Sequence, residues 1–235
     1  GQMHTSNNTD WHHCHFMINL RKYQKDDDHE LHNIRKLHLK WFKDDSDYCR
    51  ELYCYDLMRR FGIWTACFSS YCRLWIHVEG DSQPAYYGVY SMLEPIDDKF
   101  VSRRKELFDG KDGNLWKCRW GATLNYNDMN NVSIHFDDDS GANYTYELKS
   151  NIENFEAAKE QLFAFSENLT RLEGQEFHDW IAKVCDVRLL LRTYAVNVVV
   201  GMWDDYWNNC NNYYIYFNSS DKENYKFFFI PYDYD

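Results

Sequence analysis

The chain has 235 residues and a formal net charge of −11 at pH 7, and 44% of its residues are hydrophobic. That length predicts one large domain or two small lobes, and the apolar content excludes an intrinsically disordered protein. The acidic balance argues against a nucleic-acid backbone as the main partner, because phosphate binding needs clustered Lys and Arg. No membrane span is predicted either, since the most apolar stretch, 187–203, contains two arginines and is expected to form a buried helix.

Strands are predicted mainly in the first third of the chain, where apolar and polar residues alternate. The strands predicted there are 15–20, 34–40, 74–79 and 85–94. Between them, residues 44–61 change to helical spacing, with Asp47 as the expected N-cap and Gly62 as the stop signal.

Helices are predicted to dominate the middle of the chain. Helical periodicity predicts helices at 155–172 and 176–202, with Gly174 marking the break between them. Two aromatic strands then follow at 213–217 and 225–230, joined by an Asn-Ser-Ser-Asp loop.

The change of pattern near Glu94 predicts the domain organisation. We expect an α+β protein with a strand-rich N-lobe at 1–94 and a helix-rich C-lobe at 95–235. The chain opens on polar residues rather than a signal peptide and stops at Asp235 directly after an apolar run. Those two features predict a mature fragment that is truncated at its C-terminus.

The residues best suited to chemistry lie in the last part of the chain. Asp204 and Asn209 have the spacing of an Asp-x4-Asn catalytic loop, in which the Asp orients a nucleophile and the Asn binds a metal. The predicted hairpin then leads to Asp233, with Asp235 as the alternative, as a further oxygen ligand for a cation such as Mg²⁺. The spacing alone is also that of a solvated loop rich in Asp and Asn.

A second candidate site joins a strand to the helix that follows it. Lys40 ends a predicted strand and Glu51 lies in the predicted helix. A Lys–Glu pair in this arrangement holds nucleotide phosphates in protein kinases. Both residue types are common, so an ordinary surface pair is the alternative interpretation.

Three other patterns carry weaker signals. The run His12–His15 resembles a soft-metal ligand set, but successive strand residues point to opposite faces and at most two of them converge. The aromatic clusters at 86–90 and 213–217 are interpreted as core packing rather than as stacking platforms for sugars or bases. Dinucleotide-fold, serine-hydrolase and zincin motifs do not occur.

Cysteines and sequons bear on the compartment. The even number of cysteines permits up to four disulfides, although free buried thiols are the alternative for several of them. The eight cysteines are Cys14, Cys49, Cys54, Cys67, Cys72, Cys118, Cys185 and Cys210. The N-glycosylation sequons are at Asn7, Asn131, Asn143, Asn168 and Asn218. Together these features favour a secreted glycoprotein.

Taken in order, four stretches resemble the spore coat protein H (CotH) kinase family, a group of atypical kinase-like proteins. The first, KLHLKWFKDDSDYCRELYCYDLMRRFGI at 36–63, is similar to the family's Lys-ending strand and first large helix. The second, YYGVYSMLEPID at 86–97, resembles its strand and hinge, and GNLWKC at 113–118 resembles its "G-x-L-Y-K" strand. The last, GMWDDYWNNCNNYYIY with FFFIPYDYD within 201–235, resembles its catalytic and metal loops.

The resemblance implies a divergent two-lobed kinase fold that binds ATP with Mg²⁺ or Mn²⁺ and phosphorylates serine in protein substrates. Matched by position, it implies catalytic residues, nucleotide-binding residues and metal ligands. The catalytic set is Asp204, Lys40 and Glu51; the nucleotide-binding set is Lys40, Glu94 and Lys117; the metal ligands are Asp233, Asn209 and Asp235. It also implies a secreted or spore- or cell-surface location.

One segment departs from the family pattern. Where the family has a glycine-containing "R-G-N-S" turn followed by lysines, this chain has Ser6-Asn-Asn-Thr9 and then His12-His13. Backbone amides bind phosphate best where no side chain intrudes, so this change weakens the expected phosphate contacts. A kinase-like scaffold that acts as a coat or surface-binding protein is therefore the alternative function, and a carbohydrate-binding module is a third.

Overall fold

The computed structural model describes residues 13–23, 30, 34–43, 45–138 and 140–235. They form two compact units. The first unit contains the described residues up to Leu57, together with 67–95 and 234–235, and the second contains 58–66 and 96–233. The predicted boundary near Glu94 lies beside the division between Pro95 and Ile96, and each unit also contains a short segment from elsewhere in the chain, at 234–235 and at 58–66. The assignment of an N-lobe to 1–94 and a C-lobe to 95–235 stays a prediction.

The first unit is built on an antiparallel sheet and one helix. Its strands are β1 (Phe16–Asn19), β2 (Lys36–Lys40), β3 (Ser69–Ile76) and β4 (Ala85–Leu93), in the order β1-β2-β4-β3. The helix, α1 (Arg50–Arg60), follows β2 and continues into the second unit. Strand β3 begins earlier than predicted, because Ser69 already pairs with Leu93 of β4.

The second unit contains a five-stranded sheet and most of the helices. Its strands are β5 (Asn114–Cys118), β6 (Ile134–Phe136), β7 (Tyr146–Leu148), β8 (Tyr213–Phe217) and β9 (Phe227–Pro231), in the order β6-β7-β5-β8-β9. Among the strands that the structure describes in this sheet, β6 and β7 pair in parallel and the other neighbours are antiparallel. Its helices are α2 (Asp98–Arg103), α3 (Lys105–Phe108), α4 (Phe155–Arg171), α5 (Gly174–Val184) and α6 (Val187–Val200). The α+β class predicted from the sequence is confirmed.

The two faces of this sheet differ in chemistry. One face belongs to a buried cluster that includes Trp116, Tyr146 and Phe229, and it packs with Phe165 of α4. The opposite face carries buried aromatic residues such as Tyr216 and Phe228, and also charged residues, among them Lys117 of β5 and its cross-strand neighbour Glu147 of β7. Alternation along each strand produces this division. The predicted core role of the aromatic run 213–217 is confirmed, since all its members are buried. The same prediction for 86–90 holds at Tyr90, which is buried, but was wrong at Tyr86, which is 50% exposed.

A close backbone approach fixes the start of β5 against the end of β8. A Cβ atom on Gly113 would lie 1.8 Å from the carbonyl oxygen of Phe217. No side chain fits that space, so glycine is required there. Within the part of the chain that the structure describes, no helix is long and apolar enough to cross a bilayer.

The start of the first helix was predicted incorrectly. The helix begins at Arg50, and the carboxylate of Asp45 accepts the N–H of Arg50 at 2.6 Å. Asp45 also accepts the N–H of Asp47, the predicted cap, at 3.2 Å. Asp45 is buried whereas Asp47 is exposed, so the buried carboxylate takes the capping role.

The prediction of one helix at 176–202 was also wrong. Cys185 is extended, with φ −131° and ψ 139°, and it separates α5 from α6. Asp186 then caps α6 by accepting the N–H of Leu189 at 3.0 Å. Helix α6 is not buried on all sides as expected, since Val198 and Val199 are 62% and 79% exposed. Helical periodicity continues through the break, which is why the pattern did not reveal it.

Candidate functional site

The loop after α6 is organised by the buried carboxylate of Asp205. Gly201, in the left-handed region at φ 69°, ends α6, and its N–H donates to the carbonyls of Asn197 and Val198. Asp205 is 4% exposed. Its Oδ1 accepts the N–H groups of Trp207 at 3.0 Å and Asn208 at 3.2 Å. These bonds make Asp205 the residue that folds the loop.

Asp204, the predicted catalytic residue, lies in the same loop in a different environment. Its Oδ1 accepts Nδ2 of Asn209 at 2.9 Å and Nδ2 of Asn211 at 3.2 Å. Its Oδ2 accepts Nδ2 of Asn211 at 3.2 Å and Nδ2 of Asn212 at 2.9 Å. The carboxylate is therefore oriented by three side-chain amides. We call Asp204 with Asn209, Asn211 and Asn212 the amide cage.

The amide cage rests on an unusual backbone conformation. Cys210 and Asn212 both lie in the left-handed region, with φ 50° and φ 52°. Non-glycine residues adopt that region at a cost, and such residues cluster at functional sites. Because each asparagine uses its nitrogen on Asp204, its amide oxygen is the atom that remains as an acceptor. The oxygen of Asn209 already accepts Nδ2 of Asn208 at 3.2 Å and keeps one lone pair for a cation or a substrate. The loop thus offers hard oxygen donors beside an oriented carboxylate.

Asp233 follows the β8–β9 hairpin. Tyr213 pairs with Pro231, so the residues after β9 lie at the same end of the sheet as Asn212, which precedes β8. Asp233 itself is left-handed, at φ 67°. The predicted metal ligands Asn209 and Asp233 thus come from segments that meet at one end of this sheet.

Lys117 lies on the face of the same sheet that is opposite to the buried cluster. Its ammonium is 5.9 Å from the ring centroid of Tyr214 and 5.3 Å from that of Tyr232, within cation–π range. The pKa of Lys117 is lowered to about 8, first by burial and then by the nearby charges of Arg119 and Lys149, against the attraction of Glu147 and Asp233. A partly buried ammonium beside Tyr232 is thus held near the Asp233 segment.

Lys117 belongs to a row of ion pairs across β5 and β7. Glu147, which is 5% exposed, contacts Arg119 Nη1 at 2.5 Å and Lys149 Nζ at 3.1 Å. Lys149 also pairs with Asp137 at 2.5 Å. These pairs neutralise much of the positive charge of this face, whereas the contacts of Lys117 in the described part of the chain are with the rings of Tyr214 and Tyr232.

In the first unit, Lys40 and Glu51 form the predicted pair. Lys40 Nζ lies 3.1 Å from Glu51 Oε1 and 3.0 Å from Asp235 Oδ2. Glu51 also accepts the N–H of Tyr234 at 3.4 Å. Burial raises the pKa of Asp235, but the charge and the hydrogen bond of Lys40 outweigh it and lower that pKa below its usual value. Asp235, the predicted alternative metal ligand, is therefore bonded to Lys40, the lysine predicted to position phosphate.

Glu94, the predicted adenine-facing residue, is bonded to the start of β3. Its backbone N–H donates to the carbonyl of Phe68 at 2.9 Å, and its Oε2 accepts the N–H of Phe68 at 3.0 Å. These contacts fix the backbone just before residue 96, where the chain passes again into the second unit. The contact of Glu94 with adenine stays a prediction.

The histidine run does not form a metal site in the part that the structure describes. His13 stacks on Trp41 with ring centroids 3.7 Å apart, and His15 Nδ1 accepts the N–H of Trp41 at 3.0 Å. His12 and the Ser6–Thr9 turn lie outside the described residues. Among the described residues no group of three or more His, Cys, Asp or Glu side chains is placed to hold a metal. The eight cysteines are free thiols.

Sequence reasoning missed part of the loop. It selected Asp204 and Asn209 but gave no role to Asp205, Asn211 or Asn212. The signal was present, because the run Asn208-Asn-Cys-Asn-Asn212 places several short amides directly before a strand. Short polar side chains in such runs hydrogen-bond locally and stabilise left-handed residues.

The comparison with protein families agrees with this geometry. A family model described as CotH kinase protein matches residues 5–235. The chain belongs to the CotH kinase protein family. Among the curated proteins, no match to the chain was found. Membership of the CotH kinase family suggests kinase activity and, in general terms, a nucleotide and a divalent metal.

The donor set fits such a metal. Mg²⁺ prefers hard oxygen ligands and commonly uses one or two carboxylates, with water and substrate phosphates completing its shell. This CotH kinase family member offers the carboxylate of Asp233 and amide oxygens of the cage, and no thiolate or imidazole is needed. The small number of carboxylates suits Mg²⁺ or Mn²⁺ better than a soft metal.

Proposed function

We propose that this protein is an ATP- and divalent-metal-dependent protein-serine kinase that is secreted or surface-associated. The observation that carries the proposal is the amide cage around Asp204, in a loop that runs into the β8–β9 hairpin and on to Asp233. A catalytic-loop Asp followed by a hairpin and a metal-binding Asp is the order of parts in protein kinases. Membership of the CotH kinase family supports the same activity.

In this proposal Asp204 orients the serine hydroxyl of a protein substrate and accepts its proton. The amides of the cage hold the carboxylate in one orientation, which lowers the entropic cost of aligning the hydroxyl. Asp233 and Asn209 would hold the metal, with Asp235 as the alternative ligand. The bound metal would neutralise charge on the transferred phosphate.

Lys40 is proposed to bind the nucleotide phosphates. Its ion pair with Glu51 fixes the ammonium, so that the point charge is already placed when ATP binds. Lys117 is proposed to supply a further positive charge to the nucleotide, and the backbone near Glu94 is proposed to face the adenine. Phosphoryl transfer needs mainly positioning and electrostatic stabilisation, and these residues supply both.

A thermal-shift titration with ATP tests the nucleotide site. With Mg²⁺ or Mn²⁺ present, ATP at 100 times its dissociation constant should stabilise the chain by about 2.7 kcal/mol. The stabilisation should be lost without metal and in Asp233→Ala. Asp109→Ala is the matched control, because Asp109 is also left-handed, at φ 54°, but lies outside the site.

The alternative, a kinase-like surface-binding scaffold, predicts the opposite result. A folded wild-type chain that shows no shift with ATP and either metal would contradict the kinase proposal. The exposed pair Trp75 and Tyr86, with centroids 4.8 Å apart and exposures of 58% and 50%, supports a surface-binding role in that case. Carbohydrate binding without metal, retained in Asp233→Ala, would support the third function.

A further inference from the structure

A buried amide on α6 holds the carboxylate that folds the catalytic loop. Asn197 and Asp205 are 1% and 4% exposed. Nδ2 of Asn197 donates to Oδ2 of Asp205 at 2.9 Å. The two residues therefore join the last turns of α6 to the loop that contains Asp204.

The carboxylate of Asp205 is stabilised by neutral donors. Besides Asn197, it accepts the backbone N–H groups of Trp207 and Asn208. In the part of the chain that the structure describes, no Lys, Arg or His forms an ion pair with it. A buried charge without a cation depends on the full set of its hydrogen bonds. The Asn197 amide is thus one third of that set.

The backbone of Asp205 connects this contact to the amide cage. Its carbonyl accepts the N–H of Asn209 at 3.0 Å and the N–H of Asn211 at 3.2 Å. Asn209 and Asn211 are two of the three residues whose side chains bind Asp204. A displacement of Asp205 therefore moves the donors that orient Asp204.

We propose that Asn197 is a positioning residue for phosphoryl transfer, acting through Asp205 on the amide cage. The inference rests on the proposed function, because its catalytic consequence requires Asp204 to act on the serine hydroxyl. Neither Asn197 nor Asp205 contacts substrate in this scheme. Among the buried residues of α6, Asn197 alone presents an amide, and that amide donates to the loop rather than to the helix.

A charge exchange tests the contact. Asn197→Asp places two carboxylates against each other, and like charges repel strongly where water is excluded. In the double variant, Asn197→Asp with Asp205→Asn, the carboxylate and the amide are exchanged. The amide oxygen introduced at position 205 can still accept both backbone N–H groups. Val198→Asp is the matched control, since it adds the same charge one residue away at a 62% exposed position.

Two readouts are measured below the unfolding temperature of every variant. The first is hydrogen exchange of the Trp207 and Asn208 amides, and the second is kcat and KM for ATP. Asn197→Asp should speed exchange about tenfold or more and lower kcat by about tenfold to a hundredfold, with little change in KM. The exchanged pair should restore both quantities, and Val198→Asp should leave both unchanged.

The results separate this inference from the proposed function. Unchanged exchange in Asn197→Asp, or no recovery in the exchanged pair, overturns the inference. If Asn197→Asp does not fold, Asn197→Ala replaces it, and unchanged exchange and kcat in that variant overturn the inference as well. If the wild type itself transfers no phosphate, the proposed function fails and the catalytic role of Asn197 fails with it, while the exchange data still report the loop contact.

Discussion

The two sites hold their carboxylates by different means. In the first unit, Glu51 and Asp235 both bind the ammonium of Lys40. In the second unit, Asp204 and Asp205 are bound by amide N–H groups, and no described residue forms an ion pair with either. The first arrangement depends on charge and the second on geometry.

This difference matches the work proposed for each site. The two carboxylates hold the ammonium of Lys40 in a fixed position, where it is proposed to bind phosphate. The stability that these ion pairs contribute depends on pH and on salt. Oriented neutral amides fix the direction of a carboxylate without forming an ion pair with it, which suits a group that aligns a hydroxyl. Variants that remove one partner from each site should therefore differ in their cost to stability and in their dependence on pH and salt.

Lys40→Met should destabilise the protein by about 3–5 kcal/mol, because it leaves Glu51 buried without its cation. Glu51 is 3% exposed, so water cannot replace the ammonium. Urea unfolding measures the change. Replacing both Lys40 and Glu51 by Met should recover most of the loss. A cost below about 1 kcal/mol for the single change would mean that charge does not hold this site.

Asp205→Ala should cost about 2–4 kcal/mol, whereas Asp204→Ala should cost about 1 kcal/mol. The first change leaves the buried Asn197 amide and two backbone N–H groups without their acceptor. The second leaves side-chain amides that are only partly buried and can bond to water. Chemical denaturation of both variants gives the comparison, and equal costs would contradict the division of roles between the two aspartates.

Lys117→Met should stabilise the protein at pH 7 by about 2 kcal/mol, because it removes a charge whose burial outweighs the attraction of Glu147 and Asp233. The pKa of Lys117 in the fold, about 8, is below the usual 10.5. Between those values the unfolded chain binds more protons, so wild-type stability should rise with pH across this window. The variant should lack that rise. A parallel pH dependence in both proteins would contradict the burial of the ammonium.

Asp235→Asn should cost less than about 1 kcal/mol, and the cost should vanish in about 1 M salt. The Asp235 side chain is 52% exposed, so solvent screens its pair with Lys40. Its pKa is lowered from 3.8, so the contribution is present above that value and is lost as the pH falls through the lower folded value. A cost that persists at high salt would indicate a contact other than the ion pair.

Local patterns in the sequence were sufficient for much of the fold. Period-two alternation identified strands at β1, β2 and β4, and the Lys40–Glu51 contact followed from a strand leading into a helix. The α5–α6 break was missed because apolar spacing continues across Cys185, where pairing with Phe227 decides the conformation. A contact between residues distant in the chain leaves no local signal.

The candidate site was only partly predictable for the same reason. The spacing of Asp204 and Asn209 identified two residues that are in contact. It gave no role to Asp205, because the role of Asp205 depends on its contact with the buried Asn197 of α6, which the spacing does not reveal. Likewise, the lowered pKa of Lys117 depends on burial and on the charges of Arg119 and Lys149. Lys149 directly follows β7, a neighbouring strand that is distant in the sequence.

Phosphate transfer to serine tests the central claim most directly. The wild-type chain and Asp204→Ala would be incubated with ATP, Mg²⁺ and casein, a serine-rich protein, and phosphoserine would be counted by mass spectrometry on casein and on the chain itself. We expect metal-dependent phosphoserine with the wild type and at least about a hundredfold less with Asp204→Ala. Equal phosphorylation by both proteins, or none by a folded wild type with Mg²⁺ or Mn²⁺, would contradict the assignment of Asp204 in a protein-serine kinase.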